Sequence, residues 1–316
     1  MTTSPDTALR SPAVAPALAL GPAATQRIRL RRALRGNPML AIGSALVALS
    51  VALMIVGPWL APFDPQSVVG VPSTPPPAAL DWPRLVWTSL TGAARPPHWF
   101  GTDASGMDVF SRVVAAPRTD VAIALTATVS SFALGVALGL VAGYFRNPAT
   151  ELLMRASDLV QSFPVFISGM ILVALAGRNV GNIVVALALL YAPIYLRLTR
   201  AEVLSQRHRG YVEAARALGN REIVVAFRHV LPNALAPAII QSSVTIGFAI
   251  LMTAGLSFVG AGVRPPTPEW GLMIAVGAND IVQGEWWPSV FPGLAISLTV
   301  FGYAAFGNGL ERVYGR

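Results

Sequence analysis

Six stretches of nearly uninterrupted apolar residues alternate with polar segments along the chain. A transmembrane helix needs about 20 mostly apolar residues, and each stretch comes close to that length without a charged side chain. The pattern predicts an all-α, polytopic membrane protein with six transmembrane helices. Only Gly177, Arg178 and Asn179 separate the third stretch from the fourth, which predicts a tight turn. The six predicted spans are residues 39–60, 121–145, 159–176, 180–196, 234–258 and 289–308.

The composition strengthens the membrane interpretation. Apolar residues make up 54% of the chain and charged residues only 12%, whereas a soluble domain carries about 25% charged residues. The chain contains no cysteine, which excludes disulfides and thiolate metal sites. The lipid bilayer is therefore the first partner that the sequence predicts.

The distribution of arginine predicts the orientation in the membrane. All 23 basic residues are arginines, and the formal net charge is +8. Such a charge can indicate nucleic-acid binding, but arginine also concentrates in the cytoplasmic loops of membrane proteins. With a cytoplasmic N-terminus, 17 arginines fall in cytoplasmic segments and 6 in outer segments. We therefore expect both termini to be cytoplasmic, and we expect no nucleic-acid partner.

The spans divide the chain into five segments. The first apolar stretch follows a basic run, as in a signal peptide, but it is longer than the about 7 to 15 residues of a signal-peptide core. We interpret it as an uncleaved transmembrane helix. The predicted segments are 1–38, a cytoplasmic tail with a basic collar; 39–61, the first transmembrane helix; 62–118, an extracytoplasmic segment; 119–310, a core with five transmembrane helices and a cytoplasmic loop at 198–233; and 311–316, the cytoplasmic C-terminus.

The extracytoplasmic segment contains a Pro-rich part, residues 66–97, that carries Trp82 and Trp87. Pro-rich loops often act as extended spacers. Tryptophans, by contrast, often anchor a segment among the lipid headgroups. Both interpretations of this part of the chain stay open.

Side chains that can bind metal follow in the same segment: His98, Asp103 and Asp108. Aspartate also closes turns and caps helices, and these two precede a predicted short helix at 109–114. Of the three histidines of the chain, one lies in this segment and the other two lie 21 residues apart in the loop at 198–233, so they form no cluster with ligand spacing and we predict no metal site. The sequence has no Gly-rich phosphate loop of the Walker type. We therefore expect no ATP site and no cofactor on this chain.

The middle of each predicted span lacks Asp, Glu, Arg and His. Ion-coupled transporters and intramembrane enzymes usually need ionisable residues at membrane depth, so these two alternatives are disfavoured. Polar side chains cluster in the fifth span, where they would either line a pathway or bond their own backbone. These candidates are Gln241, Ser242, Ser243, Thr245 and Thr253.

The loop at 198–233 has the pattern of two short helices. The first would run to Leu218, with Gly219 as a C-terminal stop. Asn220 would cap the second helix, and Glu222 would lie in its first turn, where the helix dipole favours a negative charge. Pro232 would mark the boundary with the fifth span.

The first of these helices has a distinctive face. Tyr211, Ala214, Ala215 and Leu218 fall on one side by three- and four-residue spacing, and Glu213 shares another side with Arg216. Two adjacent alanines make the helix narrow enough to lie close to a second protein. The spacing alone leaves two interpretations open, a docking helix for another protein and a helix packed on its own subunit.

A longer pattern favours docking. Glu213-Ala214-Ala215, then Gly219, then Leu231-Pro232 twelve residues later, resembles the coupling-loop motif of permeases from bacterial ATP-binding-cassette importers. The resemblance implies a type I importer permease fold in which the first loop helix lies in a groove of the ATPase. In that family Glu213 would face basic groups, and the small residues would allow close approach.

Several further motifs resemble one subfamily, the second ("C-type") permease of dipeptide, oligopeptide and nickel importers. The chain departs from its usual pattern at Met107, where the family has an arginine. The matching segments are 58–65, 98–103, 106–112, 163–164, 255–262 and 265–271.

The resemblance also implies partners and location. They are a homologous partner permease, two ATPase subunits that hold ATP and magnesium, and an extracytoplasmic solute-binding protein, all at a bacterial inner membrane. The expected cargo is a dipeptide or oligopeptide. A nickel chelate, a glutathione-like compound and an oligosaccharide stay open, as does, more remotely, a secondary transporter.

Overall fold

The computed structural model describes residues 36–91, 96–145 and 147–314. These residues form helices and loops without a β-strand, apart from one isolated bridge between Thr102 and Asp108. The helices of the N-terminal half are α1 (Pro38–Leu60), α2 (Trp82–Leu90), α3 (Val109–Ala115), α4 (Pro117–Tyr144), α5 (Pro148–Gln161) and α6 (Val165–Ala176).

The C-terminal half contains the predicted cytoplasmic loop and three long apolar helices. A π-helical turn, Val225–Val230, joins two of its short helices. The helices are α7 (Val180–Gln206), α8 (Gly210–Ala217), α9 (Glu222–Val224), α10 (Leu231–Ala234), α11 (Ala236–Phe258), α12 (Trp270–Gly277) and α13 (Trp287–Tyr314).

Five helical segments are long and apolar enough to cross a membrane: α1, α3 with α4, α7, α11 and α13. The all-α membrane fold is thus confirmed. The tight turn before α7 is confirmed as well, because the Asn179 side chain caps α7 by accepting a hydrogen bond from Asn182 N at 2.9 Å.

The predicted third span, residues 159–176, is wrong as a single helix. α5 and α6 meet at an angle of 92°, and α6 has only 12 residues, or about 18 Å of helix. Pro164 lies between them in an extended conformation (φ −56°, ψ 124°). Proline has no N–H to donate and keeps the preceding residue out of the helical region. The described residues therefore contain five continuous helical segments that can span a membrane and, if α5 with α6 counts as one, a sixth that is broken.

A second boundary also differs from the prediction. The fourth span was expected to end at residue 196, but α7 continues to Gln206. The helix therefore continues about nine residues into the predicted cytoplasmic loop, 198–233. The extra turns carry arginines and other good helix formers, which extend a helix as readily in water as in lipid.

Glycine allows α4 and α7 to approach closely. A Cβ atom on Gly135 would lie 2.4 Å from the Ala192 carbonyl oxygen, and one on Gly139 would lie 2.6 Å from the Leu196 oxygen. Gly143 repeats the spacing one turn further on. Apolar side chains gain little by leaving lipid for a helix interface, so membrane helices associate through such close van der Waals contacts. These three glycines, which we call the glycine stripe, thus make α4 and α7 a tightly packed pair.

The outer segment folds against the ends of the spans. Asp103 closes a turn by accepting hydrogen bonds from Ser105 N and Met107 N, each at 2.9 Å. Asp108 caps α3 through Ser111 N at 2.7 Å and contacts His98 Nδ1 at 2.8 Å. The predicted turn and cap roles of the two aspartates are confirmed.

The stripe can be tested with one added methyl group. Gly139→Ala should lower the thermal unfolding temperature of the purified subunit in detergent, because overpacking a tight interface costs about 1 to 3 kcal/mol. Gly293→Ala is the matched control, since the nearest atom to its added Cβ lies 4.0 Å away. Equal unfolding temperatures for the two variants would contradict the packing role of the stripe.

Candidate functional site

The first helix of the predicted cytoplasmic loop ends as its sequence predicts. α8 stops at Ala217, and Gly219 has a positive φ of 79°, a conformation that glycine adopts without strain. The prediction for Asn220 is wrong. Its side chain donates to the Ala215 carbonyl at 2.9 Å, closing α8, and Arg221 takes the position before the next helix without a side-chain cap.

The second half of the loop is longer and more continuous than one short helix. α9, the π-helical turn and α10 follow one another from Glu222 to Ala234, and the boundary with α11 falls at Leu235. Pro232 therefore does not mark that boundary; it lies at the start of α10. A proline cannot donate in the i→i−4 ladder, and an inserted π-turn lets the chain continue past it.

The predicted face of α8 is divided in two. Ala215 is buried against its own subunit together with Val212, so its assignment to the same face as its neighbour Ala214 is wrong. Successive helix residues differ by about 100° around the axis, so adjacent alanines point apart. Five of the predicted residues on and just after α8 are exposed, and we call them the docking face: Tyr211, Glu213, Ala214, Leu218 and Gly219.

The opposite side of α8 packs on the inner ends of the spans. Val212 and Ala215 belong to an apolar cluster that includes Leu140 of α4, Val203 of α7 and Val225 of the π-turn. Both interpretations of the helix are therefore compatible, because one side is packed on its own subunit and the other is open.

Hydrogen bonds fix α8 at both ends. Near its start the Tyr211 hydroxyl donates to Gln206 Oε1 at 2.9 Å. Near its end Arg216 does not use Glu213, with which it was predicted to share a side; its Nε lies 3.2 Å from Glu222 Oε1. The Tyr144 hydroxyl donates a short hydrogen bond to the same carboxylate. This bond, helped by the Arg216 guanidinium, lowers the pKa of Glu222.

The polar side chains of α11 mostly bond within their helix. Thr245 donates to the Gln241 carbonyl at 3.1 Å, Thr253 to the Ala249 carbonyl at 2.9 Å and Ser242 to the Ala238 carbonyl at 3.0 Å. Ser243, Thr245 and Thr253 are buried, whereas Gln241 and Ser242 are half-buried. A pathway role for these five residues stays a prediction, and the two half-buried side chains are its stronger candidates.

One buried polar pair was missed from the sequence. Asp120 at the outer end of α4 accepts a hydrogen bond from Trp270 N at 3.1 Å. Glu269 caps α12 by accepting from Gly271 N at 2.9 Å and Leu272 N at 2.6 Å. The consecutive N–H groups of residues 270–272 thus bind both carboxylates. Asp120 and Glu269 are each at most 2% exposed. Burial raises the pKa of Glu269. The available signal was an aspartate directly before an apolar span and a glutamate directly before a helix start.

Met107 replaces the arginine expected from the family resemblance. Its sulfur accepts a hydrogen bond from Arg112 Nη1 at 2.8 Å, and the same nitrogen donates to the Pro65 carbonyl at 3.1 Å and the Pro266 carbonyl at 3.2 Å. Arg112 thereby links three segments of the chain, at Pro65, Met107 and Pro266.

Two family profiles match the chain. The profile of "Binding-protein-dependent transport system inner membrane component" matches residues 135–314. That of "N-terminal TM domain of oligopeptide transport permease C" matches residues 25–77. The first match spans more than half of the chain and includes the whole docking face. The chain therefore belongs to the family of binding-protein-dependent transport system inner membrane components.

Several relatives align with the chain over most of their length. The probable D,D-dipeptide transport system permease of Escherichia coli is 35% identical over 281 residues, 88% of this chain and 87% of that protein. The di/tripeptide permease of Pseudomonas aeruginosa is 38% identical over 269 residues, 85% of each chain. The glutathione permease of Pectobacterium atrosepticum is 33% identical over 281 residues, 89% of this chain and 87% of that protein. The protein is thus an inner-membrane permease subunit, as its motifs predicted.

The buried carboxylate pair gives a stability prediction. Asp120→Asn removes an ionisable group beside Glu269 and keeps an acceptor for Trp270 N–H, so it should stabilise the subunit by on the order of 1 kcal/mol. Asp120→Ala, which leaves that N–H unsatisfied, should destabilise it. Thermal unfolding in detergent measures both, and an Asn variant less stable than the parent would contradict the interpretation.

Proposed function

We propose that this chain is one of two membrane subunits of an ATP-driven importer for dipeptides and oligopeptides. The observation that carries the proposal is the docking face: a short helix fixed at both ends that leaves small and apolar side chains exposed on one side. Exposed apolar residues on an ordered cytoplasmic helix are typical of a protein interface. The family's coupling-loop motif lies on this same helix.

Two ATPase subunits would supply the energy. The sequence has no Walker phosphate loop, and the predicted spans contain no charged side chain at mid-depth to couple an ion gradient. ATP and magnesium would be bound on the ATPases, and hydrolysis would take place there, so the permease itself would not be an enzyme.

The residues of the loop would divide the coupling task. Tyr211, Glu213, Ala214, Leu218 and Gly219 would contact the ATPase, because their side chains or backbone are exposed. Ala215 and Leu231 would hold the helix in place through the apolar cluster beneath it. Pro232 would fix the start of the last loop helix.

Transport would follow an alternating-access cycle. A solute-binding protein would deliver cargo to the outer face, and closure of the ATPases would move α8 and the spans attached to it. The pathway would run between this chain and a homologous permease, with Gln241 and Ser242 of α11 as candidate lining residues. Both termini would be cytoplasmic, which is supported by the 17 arginines predicted inside against 6 outside.

Peptides are the cargo that the relatives support best. The Escherichia coli and Pseudomonas aeruginosa relatives carry dipeptide and di/tripeptide names, and glutathione, the cargo named for another relative, is itself a peptide. A nickel chelate or an oligosaccharide is the alternative within the same machinery. The binding protein would hold most of the selectivity.

Co-purification of partner subunits tests the proposed assembly. The tagged chain, expressed with its genomic neighbours and purified in mild detergent, should co-purify with a second permease and ATPase subunits, identified by mass. Uptake of labelled dipeptides by proteoliposomes should then require ATP and the co-encoded binding protein. Recovery of the chain alone, active without ATP, would overturn the proposal in favour of a secondary transporter.

The docking face gives a sharper prediction. Ala214→Arg should abolish ATPase co-purification without changing the unfolding temperature of the subunit, because an exposed methyl group is replaced by a bulky charge at a close interface. Ala149→Arg, at an exposed alanine of α5, is the matched control and should keep the ATPases. Ala215→Arg should instead destabilise the subunit itself, because it buries a charge. Normal ATPase recovery and uptake with Ala214→Arg would contradict the assignment of the docking face as the ATPase contact.

A further inference from the structure

Three side chains from separate elements meet at the inner end of α4. The Tyr144 hydroxyl donates to Glu222 of α9 and accepts from Arg216 Nη2 of α8 at 3.1 Å. Arg216 Nε lies 3.2 Å from the Glu222 carboxylate, and the guanidinium carbon lies 5.6 Å from the centre of the Tyr144 ring. We call Tyr144, Arg216 and Glu222 the α4–α8 clamp.

The hydroxyl group of Tyr144 is at the centre of the clamp, because it bonds both other side chains. The side chains of Arg216 and Glu222 are 36% and 54% exposed, and an exposed ion pair by itself contributes little. Tyr144 is only 7% exposed, with its ring among the apolar side chains beneath α8. Hydrogen bonds from one hydroxyl to both an arginine and a carboxylate are charge-assisted and stronger than neutral ones.

A second contact holds the backbone at the same place. Arg207 Nη1, in the turn between α7 and α8, donates to the carbonyls of Gly143 at 3.4 Å and Tyr144 at 3.5 Å. The last carbonyls of a helix lack intrahelical donors, and a basic group is favoured there by the helix dipole. Side chain and backbone of the α4 terminus are thus both bound to the loop.

The order of the helices along the chain makes the contact between α4 and α8 important for coupling. α8 is covalently continuous with α7 on one side and, through α9 and α10, with α11 on the other. α4 is joined to α8 only by way of α5, α6 and α7, so non-covalent contacts are the direct route by which a movement of α8 reaches the end of α4. The glycine stripe then ties α4 to α7 along its length.

We propose that Tyr144 is a positioning residue that transmits the displacement of α8 to α4, so that α4, α7 and the loop move as one unit when the ATPases close. This inference rests on the proposed function. A purely structural role for the same tyrosine would affect folding or assembly. A transmitting role affects how much solute moves for each ATP hydrolysed.

Tyr144→Phe separates the two roles, because it keeps the ring and removes the hydroxyl. In proteoliposomes containing the full complex, dipeptide transported per ATP should fall at least about fivefold, because one ordinary hydrogen bond corresponds to about that factor and the two bonds lost here are charge-assisted. ATPase recovery and ATP hydrolysis should stay near those of the parent. Tyr303→Phe is the matched control, since it removes another buried hydroxyl, 3.5 Å from Ser50 Oγ, far from the loop in sequence.

Glu222→Gln serves as a second variant, because its side chain is exposed and the substitution should not prevent folding. It should lower transport per ATP in the same direction. An unchanged ratio in both variants would overturn the inference, as would a parallel loss of ATPase recovery, hydrolysis and transport. If the parent complex shows no ATP-dependent uptake, the proposed function fails first, which is a different result.

Discussion

The interior of a bilayer offers no water to a peptide group, and the rest of this structure follows from that constraint. Every spanning segment must satisfy its own N–H and C=O groups, so the described chain crosses the membrane as helices. Helices in lipid gain little from burying apolar side chains against each other. Close backbone approach replaces that driving force, and Gly135 and Gly139 allow it where α4 lies on α7.

Local pattern predicted most of the fold because a membrane span is a local property. Five of the six apolar stretches were found as helices, and the turn at 177–179 followed from its three polar or flexible residues. The third span was misjudged because hydropathy does not register what Pro164 does to backbone geometry. The end of α7 was misjudged because the apolar stretch indicates only where the lipid ends, and a helix can continue beyond that point.

The candidate site shows where sequence reasoning meets its limit. The motif located α8, but only tertiary packing decides that Ala215 points inward and Ala214 outward. Arg216 similarly takes Glu222 as its partner, six residues away, and not Glu213 on its own helix. The pair of Asp120 and Glu269 joins positions 149 residues apart, which no local pattern can connect. Each of these contacts depends on how distant helices are stacked.

The shortness of α6 has a consequence for its surroundings. Its about 18 Å fall well short of the about 30 Å of hydrocarbon in a typical bilayer, a strong hydrophobic mismatch. The N–H groups of Val165, Phe166 and Ile167 begin the helix without intrahelical partners, and no side chain caps them. Such groups cannot border acyl chains. The edge of the subunit at the start of α6 therefore faces water, headgroups or protein, whereas the 23 residues of α1 and the 28 of α13 are enough to cross the hydrocarbon.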